Sequence, residues 1–205
     1  MDRSPALLVA LRVSRDDAGS MVISGFLAGA LGAGLLRHLP RGANVGWLWC
    51  AVPTAALWFV AWALAPPHWL PVPLLLAWLG VLLVATDLRH QRLPDALTLP
   101  AYPAIGLALW LCGADLGRAL AGCVLFGGFH LLIRLLVPSA MGGGDVKLAG
   151  SLGAVLASVS WLALPVGALL ASTITLFVGL WWRPDGVPHG PGLLAGTWLV
   201  AVSAG

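Results

Sequence analysis

The sequence is a series of long apolar runs, divided by short clusters of polar and turn-forming residues. A helix needs about 20 apolar residues to cross the hydrocarbon core of a bilayer. Runs of this kind lie at residues 20–36, 44–65, 69–86, 96–113, 116–137, 146–158, 160–182 and 189–204. Between them stand RHLPRG at 37–42, APPHW at 65–69, LRHQRLPD at 88–95, GADLG at 113–117, PSAMGGG at 138–144 and RPDGVPHGPG at 183–192. Their glycines and prolines are the expected helix breakers. Lipid offers the backbone no hydrogen-bond partners, so a spanning chain must be helical or a closed barrel. The alternating pattern of barrel strands is absent. The fold expected is all-α: a polytopic helical membrane protein of about eight transmembrane helices. One membrane domain covers 20–205 and a polar-mixed tail covers 1–19. With 60% hydrophobic and 9% charged residues and a mean hydropathy of +0.94, little of the 205-residue chain is left for a soluble domain.

The sixth run is the weak one. At about 1.5 Å per residue it reaches only about 20 Å, which predicts a short or re-entrant span. The tail places Arg3, Arg12, Arg15, Asp16 and Asp17 on both sides of a short apolar patch, unlike the order of a signal peptide. Met21 is a second possible start.

The charged residues give an orientation. With eight crossings, Arg37, Arg41, Arg89, Arg92, Arg134, Lys147 and Arg183 fall on one side. Arg118 falls on the other, with the tail. The positive-inside rule puts the larger group in the cytoplasm and both termini outside. The net charge of +3 is small and its residues flank apolar runs, which suits membrane orientation and not nucleic-acid binding.

Several chemistries are excluded. All eight acidic residues are aspartates, so the HExxH zinc motif is impossible. No GxSG-type serine elbow occurs. Cys50, Cys112 and Cys123 form no CxxC pair and lie in or beside apolar runs, so neither a metal nor a disulfide framework is expected. Gly25 and Gly29 in the first run, and Gly122, Gly127 and Gly128 in the fifth, are expected to let helices pack closely. Trp47, Trp69, Trp181 and Trp182 fall where an aromatic belt would stand at the membrane interfaces.

Two aspartates remain. Asp87 ends the third run in LLVATDLRHQRLPD, and Asp145 opens the sixth in MGGGDVKLAG. Each could be a solvated border residue, with Asp87 paired to Arg89 or Arg92 and Asp145 to Lys147. Ionisable groups at membrane depth are costly and usually paired or functional. Two of them on one side of one small domain suggest a dyad. Close carboxylates cannot both ionise comfortably, so the pair shares a proton and titrates as a unit. That is what aspartic peptide hydrolysis needs: one group as base on water, the other polarising the scissile carbonyl. The glycines before Asp145 would let the backbone leave helical geometry at the border and admit a substrate strand.

These residues carry a resemblance. GGGDVKL resembles the GxGD motif of intramembrane-type aspartic peptidases, and its DxKL form is similar to that of the type IV prepilin peptidases. DLRHQRLPDALTLP, VPHGPGLLAG and GFLAGALGAGLLRHLPRG are similar, in order, to that family's first-aspartate segment, its closing span and its first helix with its exit. The resemblance runs from about residue 21 to 204. It implies Asp87 and Asp145 as the catalytic pair, and Gly142 and Gly144 as the motif glycines. It implies Lys147 as the motif lysine, and Pro94 and Asp95 as a turn shaping the loop. His189 stands where the family more often has Phe, and no role is assigned to it. The implied activity is endopeptidase cleavage of a short basic leader from a prepilin or pseudopilin, just after a glycine, without a cofactor. The implied place is a bacterial cytoplasmic membrane, with the site facing the cytoplasm.

One departure is large. Bifunctional members carry a cytoplasmic domain with two CxxC pairs between their first two helices and N-methylate the product with S-adenosylmethionine. Here the corresponding loop is roughly residues 37–44 and has no cysteine. Methylation is therefore not expected. The alternative is a proton- or cation-coupled transporter using the paired aspartates, which leaves the GGGD and LPDALTLP segments unexplained. A catalytically dead assembly factor would not need both aspartates. A presenilin-type protease usually shows Tyr before its first aspartate, where this chain has Thr86. His130 and Arg134 read as core packing or snorkelling.

The charge bias gives a test. Reporter fusions after Arg92 and after Arg183 should both read cytoplasmic. A periplasmic signal at the second would mean that the sixth run does not cross.

Overall fold

Each of the eight apolar runs folds as a single helix. The computed structural model describes residues 18–39, 42–90, 94–138, 141–182 and 189–204. Among them the elements are α1 (Ala18–His38), α2 (Trp47–Leu64), α3 (Pro71–His90), α4 (Asp95–Leu111), α5 (Leu116–Leu136), α6 (Gly143–Val159), α7 (Ala163–Trp182) and α8 (Gly190–Val202). The described residues contain no strand. Residues 1–17 of the expected tail, with Arg41, Arg92 and Arg183, lie outside the described residues. Five helices are long and apolar enough to cross a membrane: α1, α2, α3, α5 and α7. The chain is a multi-pass helical membrane protein.

The sixth run departs from its expectation. It extends a turn further toward the N-terminus, as a 17-residue helix starting at Gly143, about 25 Å long. It remains shorter than the five helices long enough to cross, and it runs unbroken as one helix. α5 and α6 pair along their length, from Arg134 and Met141 at one end to Arg118 and Trp161 at the other. The low hydropathy of α6 has a physical reason. α4, α5, α7 and α8 all pack against it, so it meets protein and not lipid. Gly150, Ser151, Leu152, Gly153, Val155, Leu156 and Ala157 are all buried. A helix walled by protein needs small residues for close packing more than it needs greasy ones.

Gly122 of α5 and Gly153 of α6 bring two backbones together. A Cβ on Gly153 would lie 2.5 Å from the Gly122 carbonyl oxygen. The α1–α2 hairpin repeats the device, with a Cβ on Gly29 falling 2.7 Å from Ala51 Cα. Gly128 faces open space, so its small size serves no contact.

α3 holds the two halves together. It packs on α1, α2, α4 and α8. Indole nitrogens pin it: Trp78 donates to Ala28 O at 2.9 Å and Trp58 to Leu74 O at 2.9 Å, while Trp198 donates to Pro73 O at 3.0 Å. Trp69 corrects an expectation. It is buried, not part of an interfacial belt, and donates to Ala201 O at 3.0 Å. Ala201 is in the last turn of α8, where carbonyls have no partner within the helix. Trp47 and Trp181 are exposed, as a belt requires; the Trp182 side chain lies outside what is described.

Gly153→Val should lower stability by at least about 2 kcal/mol through overpacking. Gly128→Ala should change it by no more than about 0.5 kcal/mol. Thermal unfolding in detergent reads both, and equal midpoints for the two variants would refute the contact.

Candidate active site

Neighbouring hairpins bring one end of α3, α4, α5, α6 and α8 together. Asp87 lies in the last turn of α3 and is buried. Its neighbour Thr86 is fully buried and spends its hydroxyl on its own helix, donating to Leu83 O at 2.8 Å. Thr86 therefore does not hold the carboxylate. Asp87 Oδ2 is buried and has no hydrogen-bond partner among the described residues. Such an atom is costly unless something else uses it.

Asp145 lies in the first turn of α6 and is buried. Gly142 is the N-cap, with φ −68° and ψ 150°. The carboxylate folds back toward the Gly142 backbone N–H, where a helix start favours negative charge. A Cβ on Gly142 would stand 3.2 Å from Asp145 Oδ2. Here the glycine motif differs from its expected role. Gly143 and Gly144 do not leave helical geometry, because both belong to the first turn of α6. What the glycines give is room. Gly142 clears Asp145, and Gly143 clears the Arg134 guanidinium, which a Cβ would approach to 3.3 Å.

The two aspartates come from different helices and lie within electrostatic range of each other. The other expected residues form a rim. Lys147 does not pair with Asp145. It bonds Asp95 at 2.7 Å across an ion pair about half exposed on each side. The pair joins the first turns of α4 and α6, and Tyr102 of α4 adds a bond from its hydroxyl to Lys147 O. Pro94 is the buried N-cap of α4, and its carbonyl accepts from the Leu97 and Thr98 amides at 3.0 and 3.2 Å. Gly144 is half-buried.

Three residues that the sequence did not single out for function complete the surroundings of Asp145. Arg134 of α5 donates to Met141 O at 2.9 Å and lies within electrostatic range of Asp145. His130, one turn earlier, is buried, with Nδ1 2.8 Å from Phe126 O, and lies within the same range. His189, at the start of α8, has its ring centre 6.4 Å from that of His130. The available signal was the short connection at 137–142, which folds the last turns of α5 against the start of α6. Among the described residues, no group of three His, Cys or Asp side chains is arranged to hold a metal.

Residues 74–180 match the model of the type IV leader peptidase family. The chain belongs to that family. It is 31% identical over 197 residues to the prepilin leader peptidase/N-methyltransferase of Aeromonas hydrophila, covering 80% of this chain and 66% of that protein. To the protein of the same description from Klebsiella pneumoniae it is 40% identical over 130 residues, covering 58% and 54%. To the leader peptidase HopD of Escherichia coli it is 34% identical over 145 residues, covering 64% of this chain and 92% of that one. The chain thus spans about half to two thirds of the bifunctional relatives and nearly all of the short one. None of these similarities supports the transporter alternative. No solved structure matches the chain significantly.

Proposed function

We propose that this protein is a membrane aspartic endopeptidase that removes the leader from type IV prepilins or pseudopilins. Asp87 and Asp145 are its catalytic pair. The observation that carries the reading is two buried carboxylates from separate helices, at one end of the bundle and within range of each other, in a chain of the leader peptidase family.

The chemistry follows from the pair. The ionised carboxylate takes a proton from a water molecule, whose oxygen bonds to the scissile carbonyl carbon. The protonated carboxyl donates a hydrogen bond to the carbonyl oxygen as negative charge develops there. The carbon–nitrogen bond then breaks, and the departing amine takes up a proton. The unpartnered Asp87 Oδ2 supports this, since a buried oxygen without a hydrogen bond is costly unless a reacting group takes it up.

The substrate's apolar helix would lie in the bilayer, with its basic leader in the cytoplasm. The charge bias of the loops supports a bacterial inner membrane protein whose dyad faces that side. The rim of Pro94, Asp95 and Lys147, with Gly142 and Gly144, shapes the entry. The connection from α1 to α2 runs only from residue 39 to 46, too short to fold a pocket for S-adenosylmethionine. The product is therefore expected to keep a free amine.

Reconstituted protein should cleave a synthetic substrate made of a basic leader, a glycine and an apolar helix. Asp87→Asn and Asp145→Asn should each lower kcat by at least about a thousandfold while the protein stays inserted and folded. Full processing by the Asp87→Asn protein would sink the assignment.

Mass spectrometry of the product, made with S-adenosylmethionine present, should show an unmodified N-terminus. A methylated product would require a second site among the helices.

A further inference from the structure

α2 and α8 both pack on α3 and stand apart from each other along most of their length. The space between them is a groove of about 700 Å³, within the range of about 300–1,000 Å³ that ligand sites occupy. Ala77, Gly80 and Val84 of α3 line its floor. Pro53 and Leu57 of α2 line one wall, and Leu194 and Ala195 of α8 line the other. The floor leaves room, since a Cβ on Gly80 would meet nothing nearer than Leu194 at 3.9 Å.

The two ends of the groove differ. One end is blind. Leu57 and Trp198 mark its limit, and one turn beyond them Ala61 of α2 and Val202 of α8 are buried in one apolar cluster with Leu70. Trp198 also ties α8 to α3 there, donating to Pro73 O at 3.0 Å. The other end opens beside the last turn of α3, and its mouth is basic. Arg89 lines it, is exposed, and makes no hydrogen bond or ion pair with the described residues. The Asp87–Arg89 pair that the sequence allowed does not form: Asp87 is buried and does not line the groove. Val45 lines the same mouth, and its carbonyl accepts from the exposed Arg37 guanidinium at 3.4 Å. That bond takes up one of several N–H donors. The exposed Trp49 stands on the rim, as tryptophans do at headgroup level.

We propose that this groove holds one anionic phospholipid, with an acyl chain between α2 and α8 and its phosphate on Arg89 and Arg37. From Ala77 to Arg89 the groove runs about 18 Å along α3, at about 1.5 Å per residue. The hydrocarbon of one leaflet is about 15 Å deep, half of a core of about 30 Å. A blind apolar cleft of that length takes a chain that ends within its leaflet. Charge decides the head. Guanidinium groups bind phosphate through paired N–H donors, and none of the residues lining the groove is acidic. The apolar helix of a substrate fits less well. It would have to leave the groove before the blind end, and its basic leader would meet two arginines of like charge. The lipid site goes beyond the peptidase reading and does not depend on it.

Native mass spectrometry reads the occupant. Full-length protein is solubilised from vesicles of equal parts phosphatidylglycerol and phosphatidylcholine with the same acyl chains. Wild type should retain one phosphatidylglycerol in a preference of about 25-fold, since each arginine beside an anionic headgroup contributes about fivefold. Arg89→Gln, an exposed change that should fold, should cut that preference about fivefold. Ala195→Phe puts a ring into the groove and should abolish retention of both lipids. Gly80→Leu repeats the block from the floor if Ala195→Phe does not fold.

No phospholipid on the wild-type protein would overturn the proposal, as would equal retention of the two lipids. So would an unchanged preference in Arg89→Gln, which decides the case even if neither blocking variant folds. Undiminished retention in a folded blocking variant would overturn it too. If that variant also raised KM for leader cleavage, the groove would belong to the substrate helix instead.

Discussion

The contact between the backbones of α5 and α6 governs the rest of the structure. Gly122 and Gly153 face each other so closely that neither could carry a side chain without moving the other's carbonyl. Lipid gives helices no hydrophobic reason to associate, so contact area and close approach must supply the drive. The hairpin that results runs from Gly122 to Arg134 on one helix and from Val159 back to Gly143 on the other. It sets the height of Asp145 relative to His130 and Arg134. A looser hairpin would leave the same residues in the chain and no organised group around the carboxylate.

α3 has a matching duty toward Asp87. Its neighbours α1, α2, α4 and α8 surround it, and indole bonds from Trp58, Trp78 and Trp198 fix it. Polar side chains in a membrane bundle have few partners, and backbone carbonyls with a spare lone pair are the accessible ones. The tryptophans use these to lock helix against helix while their rings fill the interior. Asp87 is thus delivered by a rigid element. Asp145 is delivered by the first turn of another, where the free amides favour its charge.

The two carboxylates also differ in company. Asp145 has the Gly142 amide, Arg134 and His130 nearby. Asp87 has one oxygen with no partner among the described residues. Under the proposed function this inequality is required, because the two members of a hydrolytic pair do opposite things to the same proton. The exposed Asp95–Lys147 pair contributes little to stability at its half-exposed position. Its consequence is geometric, since it ties the N-terminal turns of α4 and α6 together.

The run lengths and their Gly- and Pro-rich breaks were enough to place all eight helices, because lipid leaves the backbone no other way to satisfy itself. The spacing of Asp87 and Asp145 at two run borders, with GGGD and LPDALTLP around them, was enough to single out two acids that the fold places within electrostatic range of each other. Other features lay beyond any single stretch of sequence. Trp69 looked like a belt residue because a border position says nothing of which helix end stands beside it; α8 does. The sixth run is weakly apolar because hydropathy measures suitability for lipid, and α6 is enclosed by four other helices. Gly142 and Gly143 looked like breakers, yet they serve as clearance for a carboxylate and a guanidinium arriving from elsewhere. His130, Arg134 and His189 gained their meaning only from the fold. The sequence determined which segments are helical and which acids sit at their ends, since those follow from local hydropathy and its breaks. Tertiary structure alone decided which basic groups meet Asp145, since that depends on helices packing side by side far apart in the chain.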